Sequence, residues 1–198
     1  MATDYGKLTE NLHRFYDFTG KVVLFVGAGG RQLLDSSIRT KKVIAIDENA
    51  QSLKELEANI AAKGMQNSVE VVGSSFENIT ARGDVVYFEF CLHEMDDPQQ
   101  ALSHARALAP DMVVFDHLPG SEWVFHAAEE DKVRRSAEAM ERFGVRRRET
   151  FRTEQRFQDY DELLAKVRVQ GATAIDRAQR FTGATNIVIP MTYELALL

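Results

Sequence analysis

One cysteine in 198 residues, Cys91, cannot form an internal disulfide or supply the thiolates of a zinc or iron–sulfur cluster. Four prolines and 12 glycines exclude a collagen-like or low-complexity chain. Basic residues are in the minority, with 24 Lys and Arg against 30 Asp and Glu and a net charge of −6. A global electrostatic grip on nucleic acid is therefore not expected, a local basic patch being left open, and nucleic acid is not an expected partner. No apolar run approaches the ~20 residues that cross a bilayer. Met1 to Asp17 is polar and charged, without the apolar stretch of a secretory leader. No membrane partner is expected, and the expected location is cytoplasmic. What the chain does have is a hydrophobic share of 44%, enough to exclude disorder and to fill one core. The expectation is a single domain, 1–198.

Short β-rich runs alternate with longer segments of helical spacing. Lys21 to Val26 reads as a buried strand entering the turn Gly27-Ala-Gly-Gly30, and Leu33, Leu34 and Ile38 mark one face of a short helix. Lys42 to Ile46 predicts a second strand, closed by Asp47. Leu53, Leu56 and Ile60 follow at helical spacing, with Gly64 as terminator. Val69 to Val72 and Asp84 to Phe90 predict strands three and four. Asp97-Pro98 opens a helix, because the Asp can cap free N–H groups and proline lacks only an N–H that would go unpaired there. Met112 to Phe115 is a fifth strand, ending at Asp116-His117. A helix from about Ser121 to Phe143, broken once, precedes a charged strand-like segment from Val145 to Phe157. A further helix spans about Asp159 to Val169, and a last strand runs from Asn186 to Leu198.

Strands joined through helices need crossovers, so the predicted fold is α/β: a doubly wound, mostly parallel seven-stranded sheet with the last strand antiparallel. Ligands in such sheets bind beyond the carboxyl ends of the strands, near the point where strand order reverses. Gly27 and Gly29 stand where the first strand turns, and glycine there lets a ligand approach the main chain. Asp47, 20 residues after Gly27, ends the second strand, where a carboxylate can accept from both hydroxyls of a ribose. Each has a plainer alternative, an ordinary turn for the glycines and a helix cap for Asp47. Together they favour an adenosine-containing ligand. A dinucleotide fingerprint wants a third glycine where this chain has Gln32, which disfavours NAD and FAD and leaves S-adenosylmethionine open.

With Val22 to Gly30, Val43 to Asp47, Val69 to Ser75, Asp84 to Pro98 (strand, Leu92-His93, Asp97-Pro98) and Ala105 to Pro110 (Arg106, Leu108, Pro110), the chain resembles the class I S-adenosylmethionine-dependent methyltransferases over about residues 18–118. The small-molecule branch that includes quinone-biosynthesis C-methyltransferases is the most similar in wording. Two positions depart from the usual pattern: Phe25 stands where the family carries an acidic residue, and Arg31 where it carries a third glycine.

The resemblance implies S-adenosylmethionine as cofactor and a small-molecule acceptor. It implies that Gly27 and Gly29 face the methionine and ribose, that Asp47 binds the ribose hydroxyls, and that Ser74 and Ser75 read the adenine with Phe76 on its face. Phe88 and Glu89 would lie near the sulfonium, a cation that aromatic faces and dipoles stabilise. It divides the chain into an N-terminal helix, 1–17, as a candidate lid, a cofactor-binding half, 18–118, and a substrate-side half, 119–198. The oligomeric state is left open, a homodimer included.

Candidates for proton transfer are His93, just after the fourth strand, His117, beside Asp116 after the fifth, and Tyr160. A neutral imidazole at His93, with a pKa near 6.5, would suit a general base. A local turn role for His93 and a solvated loop role for His117 are the plainer alternatives. Glu89, Asp116 and His117 could also be grouped as metal ligands, but their wording does not match the metal-dependent O-methyltransferases, and no metal is expected. Nine Lys and Arg between 132 and 156, interleaved with acids, read as a solvated face. The competing functions are a methyltransferase-like domain that binds its nucleoside without catalysis and an NAD-type oxidoreductase.

Overall fold

Val23, Leu24, Phe25 and Val26 are all buried, two side chains to each face, because β1 (Val22–Val26) lies inside a sheet covered on both sides. The computed structural model describes residues 4–29 and 39–198. The helix expected around Leu33, Leu34 and Ile38, with Arg31 and Gln32, lies outside the described residues. β1 pairs in parallel with β2 (Lys42–Asp47) and β4 (Val85–Glu89), β2 with β3 (Val69–Gly73), and β4 with β5 (Asp111–His117). β7 (Thr185–Leu197) runs antiparallel between β5 and the edge strand β6 (Arg147–Asp159). The strand order β3-β2-β1-β4-β5-β7-β6 reverses direction at β1 and β4, so the cleft opens above that pair. This is the expected α/β sheet, with its antiparallel strand at β7.

Alternation along the strands splits the core into two layers. Val23, Phe25, Tyr87, Phe115 and Tyr193 face one side, covered by α1 (Tyr5–Phe15), α2 (Ala50–Ala62), α4 (Glu122–Ala127), α6 (Tyr160–Val167) and α7 (Ala172–Ala178). Leu24, Val26, Phe88 and Val114 face the other, covered by α3 (Pro98–Leu108) and α5 (Glu130–Phe143). Asp97 caps α3 by accepting from the Gln100 amide, with Pro98 in the first turn as its sequence predicts. The break expected between Ser121 and Phe143 falls at Ala128, whose φ of +58° ends α4 and starts α5 two residues on. The sequence does not announce α7, because only Ala174 and Ala178 of its seven residues are buried. Among the described residues no helix is long and apolar enough to cross a membrane.

Candidate functional site

The site begins with backbone. As β1 ends, the amides of Gly27 and Ala28 both donate to the Ile46 carbonyl of β2, drawing the turn across the sheet's edge. Gly27 has φ +73°, and a Cβ there would sit 2.7 Å from Cys91 Cβ and 3.1 Å from the Glu89 carbonyl. Only glycine fits both the angle and the space. The Gly29 amide donates to Asp47 Oδ2 at 3.0 Å, and the Asn49 amide to Oδ1 at 2.9 Å. The cap of α2 is Asn49 itself, which accepts from the amides of Gln51 and Ser52. Asp47 is therefore not the helix cap. Its carboxylate is pinned toward the glycine turn with lone pairs to spare.

A cavity of about 790 Å³ opens above these strand ends. Gly27, Gly29, Asp47 and Glu89 line it on one side and His93 and His117 on the other, so six of the expected site residues meet in one space. Glu89 accepts from the Tyr87 hydroxyl at 2.9 Å and is 3% exposed. Phe25, at the family's acidic position, packs against the same Tyr87 ring at 5.2 Å.

The remaining expected residues fall elsewhere. Phe88 is fully buried on the α3 side of the sheet, edge-on to Phe76 at 5.3 Å. Neighbours in a strand point to opposite faces, so Phe88 cannot share the cleft that Glu89 lines. Phe76 packs into the same layer, against His104 at 5.1 Å. Ser74 and Ser75 are half-buried at the end of β3, the Ser74 amide donating to the Asp47 carbonyl at 3.1 Å and Ser75 Oγ accepting from Asn78 Nδ2 at 3.0 Å. They adjoin Asp47 at the rim and are not part of the cavity wall. Tyr160 starts α6 with its ring packed on the core, while Lys166 and Val167 of the same helix reach the cavity.

The other end of the cavity is built from side chains. Asp116, 1% exposed, accepts from His93 Nδ1 at 2.5 Å and from the His93 amide at 3.1 Å, and also from the His117 amide at 2.8 Å. One carboxylate thus fixes the imidazole and the turn that carries it. His93 Nε2 faces Glu94 Oε1 at 3.6 Å and Glu129 Oε2 at 3.9 Å. Burial alone would lower the His93 pKa, but Asp116, with Glu94 and Glu129 beyond it, outweighs burial and raises it to about 10. These carboxylates favour the protonated imidazole at His93 over the free base that its sequence position suggests. His117 goes the other way: burial, reinforced by His93 and opposed by Asp116, holds it down to about 4. Burial and the neighbouring Glu94 carboxyl push Glu129 up to about 7.

Sequence reasoning missed Phe90, Glu94 and Glu129. Phe90 takes φ +48° after β4, and its ring lies 4.7 Å from that of His117 in the cavity wall. A non-glycine residue held there costs about 1–3 kcal/mol and marks a site, but no sequence signal reports it. Glu129 arrives only because the helix breaks at Ala128. Glu94 lay in plain view beside His93.

Residues 24–115 match a family model described as a methyltransferase domain. No curated protein matches the chain's sequence significantly. A crystal structure of a candidate methyltransferase from Bacillus halodurans C-125 superposes with a TM-score of 0.68 at 18% identity, over 97% of this chain and 98% of that one. The YcgJ protein of Bacillus subtilis gives 0.68 at 14% identity, over 97% and 96%. A SAM-dependent methyltransferase from Aquifex aeolicus gives 0.57 at 17% identity, over 98% and 89%. S-adenosylmethionine is the cofactor this family uses, and the glycine turn and the carboxylate at the end of β2 fit it. With the domain match spanning β1 to β5 and the sheet completed by an antiparallel β7, the chain has the fold of the class I S-adenosylmethionine-dependent methyltransferases, and residues 24–115 match their methyltransferase domain.

Proposed function

We propose that the protein transfers a methyl group from S-adenosylmethionine to a small-molecule acceptor. The observation that carries this reading is the turn in which Gly27 tolerates no side chain and Gly29 orients Asp47, opening into a cavity of about 790 Å³. When bound, S-adenosylmethionine supplies an activated methyl carbon. In this reading Gly27 and Gly29 accommodate the methionine and ribose, Asp47 accepts from the ribose hydroxyls, and Ser74 and Ser75 serve the adenine edge. Glu89 stands in for the acidic residue the family carries at the position of Phe25. Its carboxylate, held by Tyr87, gives an ammonium group a buried partner. Asp47, Glu55, Glu89 and Glu94 line the cavity against the cations Lys166 and His93, and a wall of that net sign favours a cationic ligand.

The acceptor belongs at the His93 and His117 end. Trp123 and Met191 line the same cavity and give it apolar surface. Positioning supplies much of the rate for an in-line displacement. A cavity of this size suits a small molecule. Calorimetry with S-adenosylhomocysteine, NAD and NADP tests the cofactor, with binding expected for the first alone. Tight NAD binding without S-adenosylhomocysteine binding would overturn the reading. Turnover across a panel of phenols, thiols and carbon acids, expected for at least one class, tests catalysis against cofactor binding without transfer.

A further inference from the structure

His93, His117 and Glu129 come from three separate places: the turn after β4, the end of β5 and the break between α4 and α5. Each offers one ligand atom, and the three atoms lie within 4.8 Å of one another. All three residues are buried, at 3%, 8% and 4% exposure. Bonds of about 2.0–2.2 Å to an ion span at most about 4.4 Å between two ligands, so a slight inward rotation closes the set. Nδ1 of His117 has no hydrogen-bond partner among the described residues. A polar atom left so in a buried site is costly unless something fills the space.

The surroundings also suit an ion. Asp116 accepts from His93 Nδ1, so an incoming ion takes the place of the proton on Nε2, the carboxylate–histidine arrangement that supports metal ligands. Glu94 approaches both His93 and Glu129, and its other oxygen is held by Lys132 at 2.5 Å. Two imidazoles and one carboxylate with an open side are a donor set for divalent transition ions. The open side faces the cavity.

We propose that His93, His117 and Glu129 form a divalent transition-metal site that holds the acceptor through a hydroxyl or thiol. The ion binding stands on the cluster alone; the role toward the acceptor rests on the methyl-transfer reading above. An acceptor hydroxyl or thiol bound to the ion loses its proton to solvent more readily, as water does on zinc. The site then needs no free imidazole base. This set differs from Glu89, Asp116 and His117: Asp116 is taken up by His93, and Glu89 by Tyr87.

The test uses chelator-treated full-length protein and Co²⁺ as the probe, followed by visible absorption and calorimetry. One ion per chain is expected, with absorption bands of a low-coordinate site, displaced by Zn²⁺. His117→Ala and the isosteric Glu129→Gln should each weaken Co²⁺ binding by at least about 10–100-fold, the scale known even for outer partners. S-adenosylhomocysteine binding should persist in both variants, which shows that they fold. If His117→Ala does not fold, Glu129→Gln decides. No binding by the wild-type chain, or equal binding by the folded variants, overturns the metal site. Addition of a simple phenol or thiol should shift the cobalt bands, and unchanged bands would overturn the acceptor role alone. Loss of S-adenosylhomocysteine binding from the wild-type chain with cobalt binding intact would instead overturn the methyl-transfer reading.

Discussion

The two ends of the cavity are built by different means. Around Gly27, Gly29 and Asp47 the fold works with the backbone amides of Gly27, Ala28, Gly29 and Asn49 and the Ile46 carbonyl, with the Asp47 carboxylate pinned among them. Around His93, Asp116, His117 and Glu129 it works with buried side chains brought together from three connections of the sheet. A local turn can be read from its residues, since the glycines and the carboxylate together stand at successive strand ends, where such sheets bind ligands. A charge network assembled across the sheet cannot, since its members mean nothing until packing joins them. The difference also predicts where each end is vulnerable: the first to loss of ligand contacts, the second to loss of stability.

The largest effect should come from Asp116→Ala. It leaves His93 buried without its partner, and breaking a buried pair in this way costs about 3–5 kcal/mol. Urea unfolding at neutral pH measures it, and a loss under 1 kcal/mol would mean that Asp116 is not the keystone of that end. Asp47→Ala should instead weaken S-adenosylhomocysteine binding by about 1.5–3 kcal/mol, the scale for hydrogen bonds to a charged group. Its unfolding midpoint should move little. A variant that binds as the parent does would break the comparison on the cofactor side.

A smaller effect lies beneath the acceptor end. Glu194 stands opposite Asp116 in the β5–β7 pairing, with Arg148 Nε 2.6 Å from Oε2. Burial raises its carboxyl to about 7, Arg148 offsetting this only in part and Asp116 adding to it. The folded state thus holds this proton more tightly than the unfolded chain. Its contribution is full below the ordinary value of 4.5 and is lost as pH rises to about 7. Glu194→Gln should flatten that decline by on the order of 1–2 kcal/mol. Parallel stability profiles for parent and variant would remove Glu194 from the balance.

The fold was largely legible because the strands are short apolar runs between turns, and the Asp97-Pro98 start and the pairing of Gly27 with Asp47 are local signals. Where expectation and structure part, the causes are physical. Adjacent strand residues face opposite layers, so Phe88 does not line the cavity with Glu89. Phe76 fills the layer beside Phe88. The Tyr160 ring packs on the core while the far end of α6 meets the cavity. The carboxylates that shift His93 from its ordinary pKa are 1, 23 and 36 positions away in sequence. Phe90 and Glu129 owe their places to backbone at φ +48° and to the left-handed Ala128, neither of which a sequence states.

β6 is the sheet's outer edge, and along it Arg147 bonds Glu149 and Arg156 bonds Glu154. A strand from another molecule adding there would have to strip water from those charges without replacing them. Charge on an open edge is a defence against unwanted strand pairing. The long ribbon of β6 and β7 therefore closes the sheet on that side with a charged rim.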